Sequence, residues 1–324
     1  MAEASVRCTR AFAPAHVSGV FAPRLDARDP RGRGSVGAGL VLEVGVTASA
    51  TWRPAGRASV RVTADTTVPL RISETVARRL LGPRPGSLSV RLEHALPIGQ
   101  GFGSSASGAL ATGLAVAEAV GVPPARAVQV AHLADLFGGG GLGGVAAILG
   151  GGLELRLQAG VPPFGHVVHL PLEESVLVGT VGPAIRSPRL LGDPRWIRRF
   201  GAGEAIVGEL AARPGWEAFW DAAERFTDTV RLSSPDLRAV LRGLRRRGAR
   251  AAQAMFGTSF FASPPPGRAG EELRRWLQRR ALHRWELALS ERGAHTLPLP
   301  PASSVAPRGR SGARGPAPRR KPSP

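Results

Sequence analysis

Residues 96–121 read LPIGQGFGSSASGALATGLAVAEAVG. Four glycines and three serines fall in the first thirteen positions, and small apolar residues carry the rest. Glycine takes positive φ without a Cβ penalty, so Gly99, Gly101 and Gly103 can turn backbone N–H groups inward. Ser104 and Ser105 then stand at the start of a helix predicted over Ser104–Val120. First-turn amides lack intrahelical acceptors and carry the positive end of the helix dipole, which favours an anion. Two readings stay open from this stretch alone. It is a phosphate cradle, with hydroxyls for phosphate oxygen or Mg²⁺, or it is a tight turn that lets a small-residue helix pack closely on a sheet.

The surroundings are those of an α/β chain. Upstream, residues 6–14 and 39–46 carry β-branched and apolar residues bounded by Gly and Pro. ASVRVTA (58–64) and SLSVRLE (87–93) alternate apolar and polar, the period of a half-buried strand. Residues 75–81 suit a short helix between them. Downstream, VPPARAVQVAHLADLF has Pro near a helix start, and glycine clusters follow at 138–144 and 150–152. GGLELRLQAG (151–160) alternates like a strand again. Residues 194–247 are mainly helical, and 273–292 reads as a late helix. The break between lobes is expected near residues 158–175, giving a first lobe of 1–165, a second of 166–295 and a disordered basic tail of 296–324.

Composition narrows the function. The 324 residues are 43% hydrophobic, enough for a large core. The single cysteine, Cys8, excludes an internal disulfide framework and a Cys-rich zinc site, and suits a cytoplasmic location. No secretory leader is read at the start, and the apolar run at 106–122 contains Glu118 and several glycines, which suits a buried helix rather than a membrane span. The formal net charge is +19. Six of the positive charges lie in the last 24 residues among Pro, Gly and Ser, with no aromatic residue between them for base stacking. Nucleic acid is therefore not the expected partner, nor is a membrane.

Lysine usage is the sharper constraint. Lys321, in the tail, is the only lysine. A Walker-A loop, a protein kinase and a pyridoxal enzyme each need a lysine in the folded part. Nucleotide chemistry here must rely on amides, hydroxyls, carboxylates and arginines.

Three stretches resemble one superfamily. LPIGQGFGSSASGALA is similar to the P-x-x-x-G-[LF]-G-S-S-A loop of the GHMP kinases, which cradles ATP phosphates without a lysine. AMFGTSFFA (254–262) resembles their third, glycine-containing motif. AFAPAHVSGVFAPRLDARDPRGRGSVGAGLVLEVGV (11–46) and GGLELRLQAGVPPFG (151–165) resemble segments of the archaeal pantoate kinases. The resemblance spans about residues 8–265. It implies a two-lobed α+β GHMP kinase fold, with a ribosomal protein S5 domain 2-like N-terminal lobe and an α/β C-terminal lobe. It also implies ATP- and Mg²⁺-dependent phosphorylation of (R)-pantoate, in the cytoplasm and by a homodimer.

The same resemblance distributes roles. Pro97, Gly99, Gly101, Phe102, Gly103, Ser104, Ser105 and Ala106 would bind ATP. Ser105 and Asp135, the latter matching the Glu of A-H-x-A-E, would be catalytic and hold Mg²⁺. Arg156 would fork the acceptor carboxylate, and His16, Ser18 and Ser35 would complete the acceptor site. One departure stands out. The related T-G-L-G-D-V segment reads GLGGV at 141–145 here, so Gly144 occupies the position of the usual candidate base. That leaves open an active kinase, a kinase of another hydroxy compound such as mevalonate or homoserine, or a catalytically impaired ATP-binding relative.

Overall fold

Two long strands organise the first lobe. In the computed structural model, which describes residues 5–185, 190–280 and 282–299, β1 (Arg7–Arg24) and β2 (Gly34–Arg53) pair antiparallel from Arg7↔Trp52 to Arg24↔Gly34. The turn between them is a 3₁₀ segment at Pro30–Gly32, capped by Asp29, whose side chain accepts from the Arg31 N–H. Register shifts after Pro14 and between Ser18 and Val20 bend the pair in its middle. β2 is long enough to serve two partners on its other edge. Its second half pairs β4 (Gly86–His94), and its first half pairs β5 (Leu153–Gln158).

β3 (Ala58–Ala64) lies parallel to β4, the crossover being α1 (Arg71–Leu81). β6 (His166–Leu170) closes on β5. The helices α2 (Ser104–Val120) and α3 (Pro124–Gly138) cover this sheet with α1. α2 has small or apolar residues all round and thirteen buried positions, so it is a central helix rather than an amphipathic one. The short α4 (Gly144–Ala147) follows the second glycine cluster.

The second lobe has an antiparallel sheet in the order β10–β7–β9–β8. Its strands are β7 (Ser175–Thr180), β8 (Arg250–Ala254), β9 (Ser259–Ser263) and β10 (Arg284–Ala288). The helices are α5 (Pro194–Gly201), α6 (Gly203–Ala212), α7 (Trp216–Val230), α8 (Pro235–Arg245) and α9 (Gly267–Gln278). One aromatic core joins the lobes. Phe21 of β1 sits 4.8 Å from the Phe200 ring, and Trp220 of α7 lies 5.1 Å from Phe261 of β9. The bend in β1 thus lies where both lobes meet.

Three sequence expectations need correction. The late helix ends at Gln278, and Arg284–Ala288 is a strand on β7. Pairing with a distant edge overrides a helical periodicity that was only local. β6 belongs to the first sheet, so the first lobe runs past the expected bound of 165 to Leu170, inside the 158–175 window for the break. The strand β11 (His295–Leu297) returns to β1, so the segment expected to be a tail begins inside the fold. The rest of that tail lies outside the described residues. Among the described residues no helix is long and apolar enough to cross a membrane.

Candidate active site

A cavity of about 180 Å³ opens where the glycine–serine loop, the bend of β1 and the 255–257 turn converge. That is below the roughly 300 Å³ at which drug-sized ligand sites begin, so it suits the reacting ends of ligands that extend outward.

The loop is held from both lobes. Gly99, Gly101 and Gly103 have φ of 78°, 79° and 70°. A Cβ on Gly101 would lie 2.8 Å from the Ala254 carbonyl oxygen and 2.9 Å from the Gly257 nitrogen, so only glycine allows this approach. The Gln100 side chain works as a clamp: Nε2 donates to the Gly182 carbonyl (2.9 Å), and Oε1 accepts from Ser259 Oγ (2.9 Å). Phe102 O accepts from the His16 N–H at 3.1 Å. Gly103 caps α2 with no side-chain bond, which leaves the first-turn amides free to meet an anion.

Ser105 Oγ donates to Asp135 Oδ1 at 2.5 Å, joining the start of α2 to the end of α3. Asp135 is buried, and burial pushes its carboxyl up to about 6, against the smaller lowering effect of the Ser105 bond. The pair exists because residue 140 is glycine: a Cβ there would fall 1.9 Å from Asp135 Oδ1 and 2.1 Å from Ser105 Oγ. Among the described residues no group of three or more His, Cys, Asp or Glu side chains could hold a metal. A single carboxylate beside a hydroxyl and a helix start with free amides nevertheless fits Mg²⁺, which uses one or two carboxylates together with substrate oxygens.

A buried charge chain runs from His16, which packs on the loop at Gly103. His16 Nε2 lies 2.9 Å from Glu154 Oε1, and Arg156 Nη1 donates to that same oxygen. All three side chains are at most 4% exposed. Burial lowers the His16 pKa below its ordinary value of 6.5, partly opposed by the bond to Glu154. Arg156 Nε and Nη2 are buried without partners, against Gly143 and Gly37 respectively. Phe21, Met255 and Phe256 form an apolar side. Phe256 takes a left-handed φ of 65° and packs on Phe21 and Phe200.

The structure brings most of the sequence candidates to this one cavity. Gly99, Gly101, Phe102, Gly103, Ser104 and Ala106 border it from the loop side. Ser105, Asp135, His16, Ser18 and Ser35 border it as well. Pro97 does not border it; its carbonyl accepts from Ser104 Oγ at 3.5 Å. Arg156 does not reach it either, because Ser35 and Gly143 stand in front of its guanidinium. Gly144 lines the cavity, and a Cβ there would fall 2.7 Å from Ala106 Cβ.

Sequence reasoning missed Glu154 and Phe256. The alternation in LELRL suggests an exposed polar face, yet Glu154 and Arg156 are both buried beside Gly39 and Gly37 of the paired strand β2. The available signal was their spacing: opposite charges two apart on a strand share a face and can neutralise each other. Phe256 gave no signal, since nothing local marks a left-handed aromatic.

The GHMP kinases N terminal domain matches residues 68–152. Over 244 residues the chain is 33% identical to a pantoate kinase of Thermococcus kodakarensis, covering 72% of this chain and 80% of that one. It is 27% identical over 258 residues to a pantoate kinase of Methanospirillum hungatei, covering 78% and 86%. A solved structure titled "Phosphotransferase related to CoA biosynthesis pathway" superposes with a TM-score of 0.80 at 28% identity, covering 90% of this chain and 99% of that chain.

Proposed function

The chain belongs to the pantoate kinase family of GHMP kinases, and on that premise we propose that its cleft transfers the γ-phosphoryl group of ATP to the 4-hydroxyl of (R)-pantoate. The product is (R)-4-phosphopantoate, a precursor of coenzyme A. The observation that carries this reading is the convergence of the uncapped start of α2, the Ser105–Asp135 pair and the His16–Ser18–Ser35 wall on one cavity.

Phosphoryl transfer asks the protein for positioning and charge neutralisation more than covalent help. Amides of the 99–106 segment and the Ser104 hydroxyl fit the phosphates. Asp135 and Ser105 would hold Mg²⁺, which when bound neutralises phosphate charge. His16, Ser18 and Ser35, which line the same cavity, offer hydrogen bonds to the acceptor's hydroxyls. Arg156 Nε, unpartnered behind Ser35 and Gly143, is a donor that a carboxylate requires, reached through movement of the Gly143 segment. The apolar side formed by Phe21, Met255 and Phe256 suits the two methyl groups of pantoate.

An ADP-release assay with pantoate, mevalonate and homoserine tests the proposal. Pantoate should be preferred by roughly 100-fold or more in kcat/KM, because a buried polar site rejects acceptors that leave its groups unpaired. Turnover of mevalonate or homoserine without turnover of pantoate overturns it.

A further inference from the structure

We infer that His16, held by Glu154, takes the proton of the acceptor hydroxyl and so fills the role left without a side chain at Gly144. This inference rests on the pantoate kinase reading of the cleft. It starts from a short supply of proton acceptors. Among the described residues bordering the cavity, only Asp135 and His16 carry a side chain that accepts a proton near neutral pH. Asp135 is engaged by Ser105 and sits at the position suited to the cation. The Gly144 position cannot simply regain a carboxylate, since its Cβ would meet Ala106.

His16 is arranged for the task. Its Nε2 faces a fully buried carboxylate that also receives Arg156 Nη1. A carboxylate in that setting is an acceptor, so Nε2 carries the hydrogen and Nδ1 keeps its lone pair. Among the described residues Nδ1 has no hydrogen-bond partner, and it is not one of the sealed buried atoms such as Arg156 Nε and Glu154 Oε2. It therefore faces the cavity that His16 lines. The backbone supports the geometry. A Cβ on Gly39 would fall 2.3 Å from His16 Nε2 and 2.9 Å from Glu154 Oε1, so β2 leaves room for the dyad only with glycine there. The His16 N–H bonds Phe102 O, which ties the imidazole's backbone to the phosphate loop.

The balance of the step is simple. The 4-hydroxyl oxygen of pantoate forms a bond to the γ-phosphorus, and the bond from that phosphorus to the bridging oxygen of ADP breaks, ADP keeping the electron pair. The hydroxyl proton passes to His16 Nδ1. Glu154 stabilises the imidazolium across Nε2–H, and the proton then leaves to solvent. The charged and titratable groups that act on His16 are Glu154 and Arg156 on β5 and His169 on β6, and Asp135 lines the same cavity.

The test uses the full-length enzyme with ATP, Mg²⁺ and pantoate. His16→Gln and His16→Asn keep polarity at the site but remove the base. Both should lower kcat by about 100-fold or more, the usual contribution of a positioned base, with the KM for ATP and the melting temperature little changed. Glu154→Gln removes the charge that raises the His16 pKa. It should reduce kcat and move the acid limb of the kcat profile to lower pH, a displacement that a purely structural partner would not cause. Folded His16 variants with near-normal kcat, or an acid limb unmoved by Glu154→Gln, overturn the inference. If neither His16 variant folds, the Glu154→Gln limb alone decides. Absence of pantoate turnover in the unsubstituted enzyme overturns instead the reading of the cleft on which the inference stands.

Discussion

Asp135, proposed above to hold Mg²⁺, carries a stability cost when ionised. Its folded-state pKa stands at about 6 against an ordinary value of 3.8, because burial disfavours the carboxylate. A raised folded pKa contributes stability below the unfolded value and loses it as pH rises through the folded one. The metal-free protein should therefore lose about 2–3 kcal/mol between pH 4 and pH 7 from this residue alone. Asp135→Asn should remove that loss, raising the melting temperature of the metal-free protein at pH 8 while abolishing most kinase activity. Thermal melts against pH, with and without Mg²⁺, check it; a variant less stable than the parent at pH 8 refutes it. At Phe256 two effects compete. The left-handed φ costs about 1–2 kcal/mol, while losing a largely packed aromatic costs about 3 kcal/mol or more. Packing should win, so Phe256→Gly lowers the melting temperature even though glycine relieves the backbone.

At the scale of the element, α2 was legible in full, from Ser104 to Val120, because everything that defines it is local. Glycines bound it at both ends, and its small residues permit burial on all sides. The two boundary glycine regions differ in a testable way. Gly101 and Gly121 both have positive φ, but only Gly101 has backbone within contact range of a Cβ. Gly121→Ala should cost about 1 kcal/mol of left-handed strain and leave catalysis intact. Gly101→Ala adds a collision with the 254–257 turn, and should raise the KM for ATP at least about 10-fold by shifting the amides proposed to meet the phosphates. Similar kinetics for the two variants would remove the loop from the nucleotide site. β10 was not legible, since RWELA becomes a strand only by meeting the edge of β7.

At the scale of the molecule, the site is a product of lobe closure. The loop is fastened to the first lobe by His16 and to the second by Gln100, whose partners are Gly182 and Ser259. The return of β11 to β1 sets how much of the C-terminal segment the fold needs. Truncation after Leu299 should leave kcat/KM for pantoate unchanged. Truncation after Gly293 removes the β11 pairing and the Ala294 N–H bond to Ile148 O, and should lower the melting temperature measurably. Equal stability of the two truncations would show that β11 contributes nothing.

The amino-acid sequence by itself determined what could bind phosphate: glycines that tolerate positive φ, a helix start rich in hydroxyls, and no lysine in the folded part to do the work instead. Those properties need only neighbouring residues. Tertiary structure decided which groups meet there. Ser105 and Asp135 are 30 residues apart and His16 and Glu154 are 138 apart, so no spacing rule pairs them. It also decided that Arg156 stands behind the wall of the cavity, because burial is a property of packed layers and LELRL alternates like a strand whose polar face is wet.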